Sequence, residues 1–139
     1  MSDPAHTLSL ILFSGTEDKL TAAATLTAGA AAVGKRVNVF LQFWALDAFR
    51  KDRIGKDHGV TAEAGPEGAE ALRRLNEKGG QHWSEVFRQA REIGDVGIDA
   101  CAHSMELLEI SKDDLDPMVG DVIGIAAFTI QASGQVVFI

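Results

Sequence analysis

Cys101 is the only cysteine of this 139-residue chain, and its type and position suit covalent chemistry. A short apolar run, 97–100, precedes it, and a helix-compatible run, 102–108, follows it. This order predicts that Cys101 lies where a strand ends and a helix begins, at the carboxyl edge of a sheet, where open α/β folds bind their ligands. Unpaired N–H groups at the start of a helix favour a thiolate. We therefore interpret Cys101 as a candidate nucleophile with an ionisable and accessible sulfur.

Two polar residues after Cys101 are candidate catalytic partners. His103, if protonated and close to the sulfur, would favour the thiolate. Ser104 stands three positions after Cys101, so its hydroxyl is a candidate hydrogen-bond donor to the sulfur or to the local backbone. A carboxylate at Asp99 would raise the pKa of the thiol, so we expect Asp99 to point to the opposite side of the strand or toward a basic group. The alternative is a small, buried and inert cysteine.

The segment around Cys101 resembles a known family. The DsrE/DsrF-like sulfur-relay proteins have a signature segment that is similar to Ala100-Cys101-x-x-Ser104-Met105-x-Leu107-Leu108-x-Ile110, followed by Lys112-Asp113-Asp114-Leu115. The resemblance implies that Cys101 carries a sulfane sulfur as a persulfide and passes it between partner proteins. It also implies trimer-based assemblies, homomeric or mixed, in which a subunit boundary helps to form the pocket.

Two features depart from the family pattern. Glu109 stands where relatives often have glycine, which bears on the turn after the predicted helix. The chain also lacks a second cysteine, which excludes a mechanism that resolves a disulfide within one chain. A relay through Cys101 therefore needs the thiols of a sulfur donor and a sulfur acceptor, either proteins or low-molecular-weight compounds.

Composition limits the partners that the protein can have. An apolar fraction of 46% and a charged fraction of 24% are ordinary for a globular domain. The formal net charge of −7 argues against nucleic-acid or anionic-membrane binding, because both depend on clustered Lys and Arg. The first six residues lack the features of a signal peptide, and no apolar stretch is long enough to span a bilayer. We expect a cytoplasmic protein without a cofactor or a metal.

Apolar runs alternate with helical patterns along the whole chain, which is typical of an α/β domain. We predict a single three-layer domain over 1–139, with a small, mostly parallel sheet of about four or five strands flanked by helices. Strands are predicted at 7–13, 36–43, 96–100 and 135–139, the last of them buried. Helices are predicted from Ser14 to about Val33 and at 45–50, 67–78, 82–93, 102–108 and 121–132. Segment 121–132 also contains strand-forming residues, but its length and the following Gly134 favour a helix.

The turn after the first predicted strand reaches the same carboxyl edge as Cys101. Ser14 and Glu17 have the spacing of a capping box, with Ser14 as the N-cap. Gly15 and the start of the helix are also candidates for an anion site, but the turn lacks the spacing of a P-loop or a dinucleotide fingerprint. Ser14 and Gly15 are therefore predicted to border the pocket at Cys101.

Aromatic residues give further candidates for the pocket and for subunit contacts. Phe43 and Trp44 follow the second predicted strand, where they would either wall the cysteine pocket or lie at a subunit contact. Trp44 could equally begin a short helix and pack in the core. Met105, in the signature segment, is a further pocket candidate. Trp83 and Phe128 stand on apolar helical stripes, which suit either the core or an interface between subunits.

Other chemical assignments receive less support from the sequence. A metal site would need Cys101 and His103 together with a distant His58 or His82, and Cys-x-His alone is weak metal spacing. No Gly-x-Ser-x-Gly motif supports a serine hydrolase. A peroxide-reducing thiol stays open in principle. The leading interpretation is a sulfur carrier, with sulfurtransferase activity as an open question. The alternative is a structural or small-ligand-binding subunit of a DsrE-like oligomer, in which the thiol is inert.

Overall fold

The computed structural model describes residues 3–139 and contains a five-stranded parallel sheet. Its strands are β1 (Thr7–Leu12), β2 (Arg36–Leu41), β3 (Val96–Cys101), β4 (Val122–Ile123) and β5 (Gln135–Phe138). The strand order is β4-β3-β2-β1-β5, and every pairing is parallel. Parallel neighbours need crossover connections, which are usually helices. The predicted α/β class and mostly parallel sheet are confirmed.

Helices alternate with the strands, with the ends of most lying close to those predicted. They are α1 (Glu17–Ala32), α2 (Phe43–Ala48), α3 (Gly65–Glu77), α4 (Trp83–Ile93), α5 (Ala102–Leu107) and α6 (Ile125–Gln131). Short 3-10 segments lie at Pro4–His6, Ala62–Ala64 and Lys112–Asp114. The predicted end of α1 is confirmed, because Gly34 follows it with a φ of 84°.

Residue alternation along the strands gives the sheet two unequal faces. Leu10 and its β2 partner Val39 lie on one face, where they join a large core cluster with residues of α1 and α4. We call it the α1–α4 face. Ile11 and its β2 partner Phe40 lie on the opposite face, where Phe40 packs with a residue of α6. We call that one the α6 face.

The α1–α4 face holds most of the core. Alanines 23 and 24 of α1 are fully buried, and their small side chains let the helix lie close to the sheet. On α4, Trp83 and Phe87 pack against Phe49, with ring centroids 5.1 and 5.6 Å apart from it. Each large apolar side chain buried in this way stabilises the fold by about 1.5–3 kcal/mol. Trp83 and Phe87 of α4 therefore belong to the core of the single chain.

The α6 face is divided into an apolar and a polar half. Phe40 and Cys101, near the carboxyl ends of their strands, are buried with Phe128 of α6. Toward the amino ends, the chain places polar side chains on the same face, including Ser9 and Asn38, whose Nδ2 donates to Ser9 Oγ at 3.3 Å. Cys101 consequently lies in the apolar half of the thinner side of the sheet.

The predicted capping box at the start of α1 is wrong. Thr16, not Ser14, is the N-cap residue, and its side chain makes no capping hydrogen bond. The Glu17 carboxylate accepts a hydrogen bond from the backbone N–H of His58 at 3.1 Å. Glu17 is drawn into this long-range contact because segment 57–59 lies across the start of α1, with the Gly59 carbonyl accepting from Glu17 N at 2.7 Å.

Two predictions for the carboxyl-terminal part also need correction. Segment 121–132 is not one helix, since β4 comes first and α6 begins only after Gly124. The strand-forming residues Val122 and Ile123 pair with the end of β3, which the sequence pattern could not show. The last strand, β5, is at the edge of the sheet and is largely exposed rather than buried. Val136 and Phe138 keep 52% and 64% of their surface exposed.

The first two residues of the amino-terminal segment, for which no signal peptide was predicted, lie outside the described residues. From residue 3 onward, no helix combines the length and apolar character needed to cross a membrane.

Candidate functional site

Cys101 lies at the strand-to-helix junction that the sequence predicts. It is the last residue of β3 and the N-cap of α5, next to Ile123 of β4. Its side chain has no exposed surface, and it packs with Phe40 and Phe128. Ile11, Ile123 and Ala132 complete this cluster, which contains no charged side chain. The prediction of an accessible sulfur is therefore wrong for the single chain, because α6 covers Cys101.

The two predicted partners of Cys101 lie in contrasting environments. His103 is exposed on α5, whereas Ser104 is fully buried. Within residues 3–139, the Ser104 hydroxyl has no hydrogen-bond partner, so the predicted bond from Ser104 to the sulfur or local backbone is absent. A buried hydroxyl without a partner is energetically unfavourable, which makes Ser104 an unusual residue in this helix.

Asp99 lies on the same face of β3 as Cys101, since the two residues are two positions apart on a strand. Of the two alternatives expected for Asp99, the opposite side of the strand is therefore wrong, and the direction toward a basic group stays a prediction. Its Oδ1 accepts a hydrogen bond from the backbone N–H of Asp121 at 3.0 Å. This bond fastens the start of β4 to β3 and gives Asp99 a structural role beside the thiol.

Asp99 also borders a polar groove of 830 Å³ on the α6 face. Arg36 lies in this groove and forms an ion pair with Asp95. Ile123 belongs both to the groove wall and to the cluster around Cys101, so the groove ends beside the buried thiol. The groove was not predicted, because its residues come from separate strands and from the end of α6.

Phe43 and Trp44 lie at the carboxyl edge of the sheet, as predicted. Trp44 is 55% exposed, which excludes the alternative that it packs in the core. Phe43 has a left-handed backbone, with φ at 42°, and its ring is 5.2 Å from that of Phe13. Phe13 in turn lies 5.8 Å from Phe138, so the four rings form a half-exposed aromatic row. Neither Phe43 nor Trp44 is part of the cluster that surrounds Cys101.

Ser14, Gly15 and Trp44 border a common pocket of 380 Å³. A Cβ atom on Gly15 would lie 2.4 Å from the carbonyl oxygen of Trp44, so the close approach of the two turns requires glycine. The opposite wall comes from segment 51–65, which contributes Arg53 and His58. The structure thus brings three of the predicted pocket residues together, but in a pocket that Cys101 does not line.

Met105, the remaining pocket candidate, belongs to the main core. It is 8% exposed and packs in the cluster that includes residues of α1 and α4. The prediction that Met105 borders the cysteine pocket is therefore wrong. Met105 instead helps to hold α5 against the body of the protein.

A cluster of one buried carboxylate and two partly exposed histidines lies beside the 380 Å³ pocket and was not predicted. Glu17 is 5% exposed, and its Oε2 lies 3.8 Å from Nε2 of His82. His82 Nδ1 lies 2.7 Å from the Ser84 hydroxyl, and the His58 ring is 5.8 Å from that of Trp83. The capping-box interpretation of Glu17 concealed this cluster, since only the fold brings the two histidines to the start of α1.

Asp18 holds segment 57–61 at the same place. Its carboxylate accepts hydrogen bonds from the backbone N–H and the hydroxyl of Thr61, at 3.2 and 2.9 Å. Burial alone would raise the pKa of Asp18, but hydrogen bonds from Thr16 and Thr61 outweigh burial and hold the pKa below its ordinary value. Asp18 therefore favours its charged form in the folded protein.

The metal alternative finds no support in the geometry. Across the described part of the chain, no three His, Cys, Asp or Glu side chains are arranged to hold a metal ion. His58 and His82 lie with Glu17, whereas Cys101 lies in the apolar cluster under α6. The four residues proposed from sequence therefore do not form one site.

Sequence comparison places these features in a family. A sequence model of the DsrE/DsrF/DrsH-like family matches residues 4–76, which is more than half of the chain. The chain belongs to this family. The matched range includes the Ser14–Gly15 turn and the Phe43–Trp44 pair but ends before Cys101. The predicted DsrE-like resemblance is thereby confirmed at the level of the family.

Individual relatives of this DsrE-like chain extend over nearly its whole length. One relative is YrkE of Bacillus subtilis strain 168, which is described as an uncharacterized protein. It is 28% identical over an alignment 153 residues long, and the alignment covers 95% of this chain and 94% of YrkE. MTH1491 of Methanobacterium thermoautotrophicum, a protein of unknown function, has a similar structure with a TM-score of 0.63 at 13% identity, covering 95% of this chain and 98% of MTH1491. The ychN protein of E. coli superposes with a TM-score of 0.58 at 13% identity, covering 96% and 99%. These structures share the fold.

Proposed function

We propose that this DsrE-like protein is a sulfur carrier that holds a sulfane sulfur as a persulfide on Cys101 and passes it to the thiol of a partner. Membership of the family supports the proposal, since the family is associated with sulfur relay. The observation that carries it is the position of the only cysteine, at the carboxyl end of β3 and the start of α5. Ligands bind at this edge in open α/β folds.

The proposed transfer is a balanced thiol exchange. The Cys101 thiolate attacks the outer sulfur of a donor persulfide, the new bond forms between the two sulfurs, and the donor thiolate leaves with the electron pair of the broken S–S bond. An acceptor thiolate then attacks the outer sulfur of the Cys101 persulfide, and the Cys101 thiolate leaves. Neither step consumes an oxidant, and one cysteine on this chain is enough. Such chemistry suits the cytoplasm, where thiols are kept reduced.

Persulfide mass spectrometry tests the proposal. The protein is incubated with a low-molecular-weight persulfide, desalted and weighed intact, with the Cys101→Ala variant as the control. We expect wild-type protein to gain the mass of one sulfur atom, and cyanide or a thiol reductant to remove it. The variant should gain nothing. If the native wild-type protein stays unloaded while the urea-unfolded protein loads, the carrier function is refuted, because the fold then withholds the thiol.

Complete burial of Cys101 favours a second candidate function. The thiol is fully buried with Phe40 and Phe128, and a buried apolar cysteine is ordinarily inert. The alternative is a structural or ligand-binding subunit of a DsrE-like oligomer, without sulfur chemistry at Cys101. Slow alkylation of Cys101 with an ordinary pH midpoint, together with the absence of loading, would identify this role.

The proposal includes self-association of the chain as a homo-oligomer, a trimer or a hexamer. Trp83 and Phe128, which the sequence analysis considered for the contact, are both buried within one chain. Other large apolar side chains are exposed on the edge strand β5: Val136 and Phe138. Exposed apolar surface of this kind is typical of subunit contacts. We therefore assign the contact to the exposed edge strand β5, which leaves α6 outside the contact.

A further inference from the structure

The seven-residue helix α6 is attached to the protein by one buried side chain. Phe128 is 3% exposed, and it is the only buried residue of α6. Ile130 is 84% exposed, and Ile125 is 46% exposed. An isolated helix of this length is unstable in water, so α6 depends on its contact with the sheet. Phe128 therefore makes the main buried contact between α6 and the sheet.

Phe128 closes the space above Cys101. Its ring stacks on that of Phe40 with the centroids 4.5 Å apart and the planes 6° from parallel. Phe40 and Cys101 belong to β2 and β3, whereas Phe128 is the only fully buried member of the cluster that comes from outside the sheet. Removing Phe128 would leave partly buried neighbours such as Ile123 and Ala132 around the sulfur.

Glycines lie on both sides of α6 and have different surroundings. Gly124, the N-cap of α6, has open space where a side chain would be. Gly134, after α6, has a φ of 69°, and a Cβ atom there would lie 2.2 Å from the carbonyl oxygen of Thr7. The backbone therefore packs closely against β1 at Gly134, whereas no atom beyond its chain neighbours lies within 4 Å of a Cβ position at Gly124. Movement of α6 needs no disruption of the α1–α4 face.

We propose that α6 is a lid over Cys101 and that Phe128 is its latch, so that Cys101 reacts only in conformations in which α6 has moved away. The inference concerns the same thiol as the proposed carrier function and names how its access is regulated. Segments with few buried contacts open at a lower free-energy cost than the whole protein unfolds. The lid would keep a bound sulfane sulfur away from solvent thiols while α6 is closed.

Alkylation kinetics test the lid without any sulfur donor. N-ethylmaleimide is added in excess to the folded protein, and modification of Cys101 is followed by intact mass. We expect Phe128→Ala to react at least about tenfold faster than wild type, because the latch is gone. Thr129→Ala is the matched control, since Thr129 is exposed on the same helix and bonds only the Ala126 carbonyl. Its rate should stay within about twofold of wild type.

A second control separates lid opening from global unfolding. Leu20 is buried on the α1–α4 face, so Leu20→Ala lowers the global stability without touching α6. We expect Leu20→Ala to react within about twofold of wild type. Equal acceleration by Leu20→Ala and Phe128→Ala, or no acceleration by Phe128→Ala, would overturn the lid. If Phe128→Ala does not fold, Phe128→Leu should give a smaller acceleration, and its absence overturns the lid equally.

The lid and the carrier function can fail separately. If Phe128→Ala alkylates quickly but never gains a sulfur from a persulfide donor, the lid stands and the carrier function is refuted. If wild-type protein loads a sulfur while all variants alkylate at one rate, the carrier function stands and the lid is refuted.

Discussion

At the scale of single residues, Cys101 is a thiol in an apolar environment. Its position at the end of β3 was predictable, because it follows from the local change between strand and helix patterns. Its burial was not predictable, since Phe128 is distant in sequence and reaches the thiol only through the β4–α6 segment. The strand-to-helix pattern around Cys101 therefore predicted where the cysteine lies in the fold. It could not predict that Phe128 of α6 would bury it.

Replacing Cys101 should lower the free energy of unfolding by an amount that depends on the polarity of the new side chain. Cys101→Ser places a hydroxyl among Phe40, Phe128 and Ile123, where nearby groups are apolar. We expect Cys101→Ser to lower the free energy of unfolding by about 1–3 kcal/mol, because the hydroxyl is buried without a hydrogen bond. Cys101→Ala should cost less. Urea denaturation compares the variants, and a Ser variant as stable as the Ala variant would show that a hydrogen-bond partner reaches the site.

Glu17 and Ser104 show that local sequence does not determine the hydrogen-bond partners of a side chain. The sequence supplied sound local roles for both, as a capping-box acid and as a partner of the thiol. The fold gives Glu17 contacts with His58 and His82, and it leaves the Ser104 hydroxyl without a partner in the part of the chain that is described. Tertiary contacts override local hydrogen-bonding patterns whenever a side chain is buried by a distant segment.

At the scale of elements, the connection between α2 and α3 is the least regular part of the chain and borders the 380 Å³ pocket. Segment 51–65 makes up most of this connection. The structure brings it over the start of α1, where Glu17 and Asp18 bind its backbone. Its position depends on carboxylates, so it should respond to acid.

Acid should weaken the attachment of this segment through Asp18. The pKa of Asp18 is lower in the folded than in the unfolded protein, so the stabilisation is present above the ordinary aspartate pKa of about 4 and is lost as the pH falls through the folded value. We expect Asp18→Asn to be less stable than wild type at about pH 6, with the difference shrinking below about pH 4. Chemical denaturation across this range measures it.

The control for this prediction is Glu63→Gln, which changes an exposed carboxylate on the neighbouring 3-10 segment. It should leave the pH dependence as in wild type. A constant difference between Asp18→Asn and wild type from pH 6 down to pH 3 would contradict the assigned role of the Asp18 charge.

At the scale of the whole molecule, the two faces of the sheet are unequally covered. Two long helices and the rings of Trp83 and Phe87 protect the α1–α4 face. The α6 face has one short helix and an exposed edge strand, β5. The sequence predicted the alternating elements but assigned β5 to the interior, because a run of apolar residues does not reveal whether a neighbouring strand or helix covers it.

Self-association through the edge strand β5 should be sensitive to charge on that strand. Phe138 is 64% exposed on this edge strand, and uncharged exposed edges readily pair with other chains. We expect the wild-type protein to sediment as an oligomer and Phe138→Asp to shift it toward the monomer, because burying an unpaired carboxylate is unfavourable. Analytical ultracentrifugation measures the change, and Glu77→Gln, on α3, is the control. A wild-type monomer at high concentration would exclude the proposed contact.

Phe43 combines an unfavourable backbone torsion with favourable ring packing at the edge of the sheet. A bulky residue at a φ of 42° costs on the order of 1–3 kcal/mol, which glycine at the same place would avoid. The torsion is tolerated because the ring contacts Phe13 on one side and Trp44 on the other. A glycine at this position would relax the torsion but lose both ring contacts, so the aromatic row at the sheet edge is kept at the expense of backbone strain.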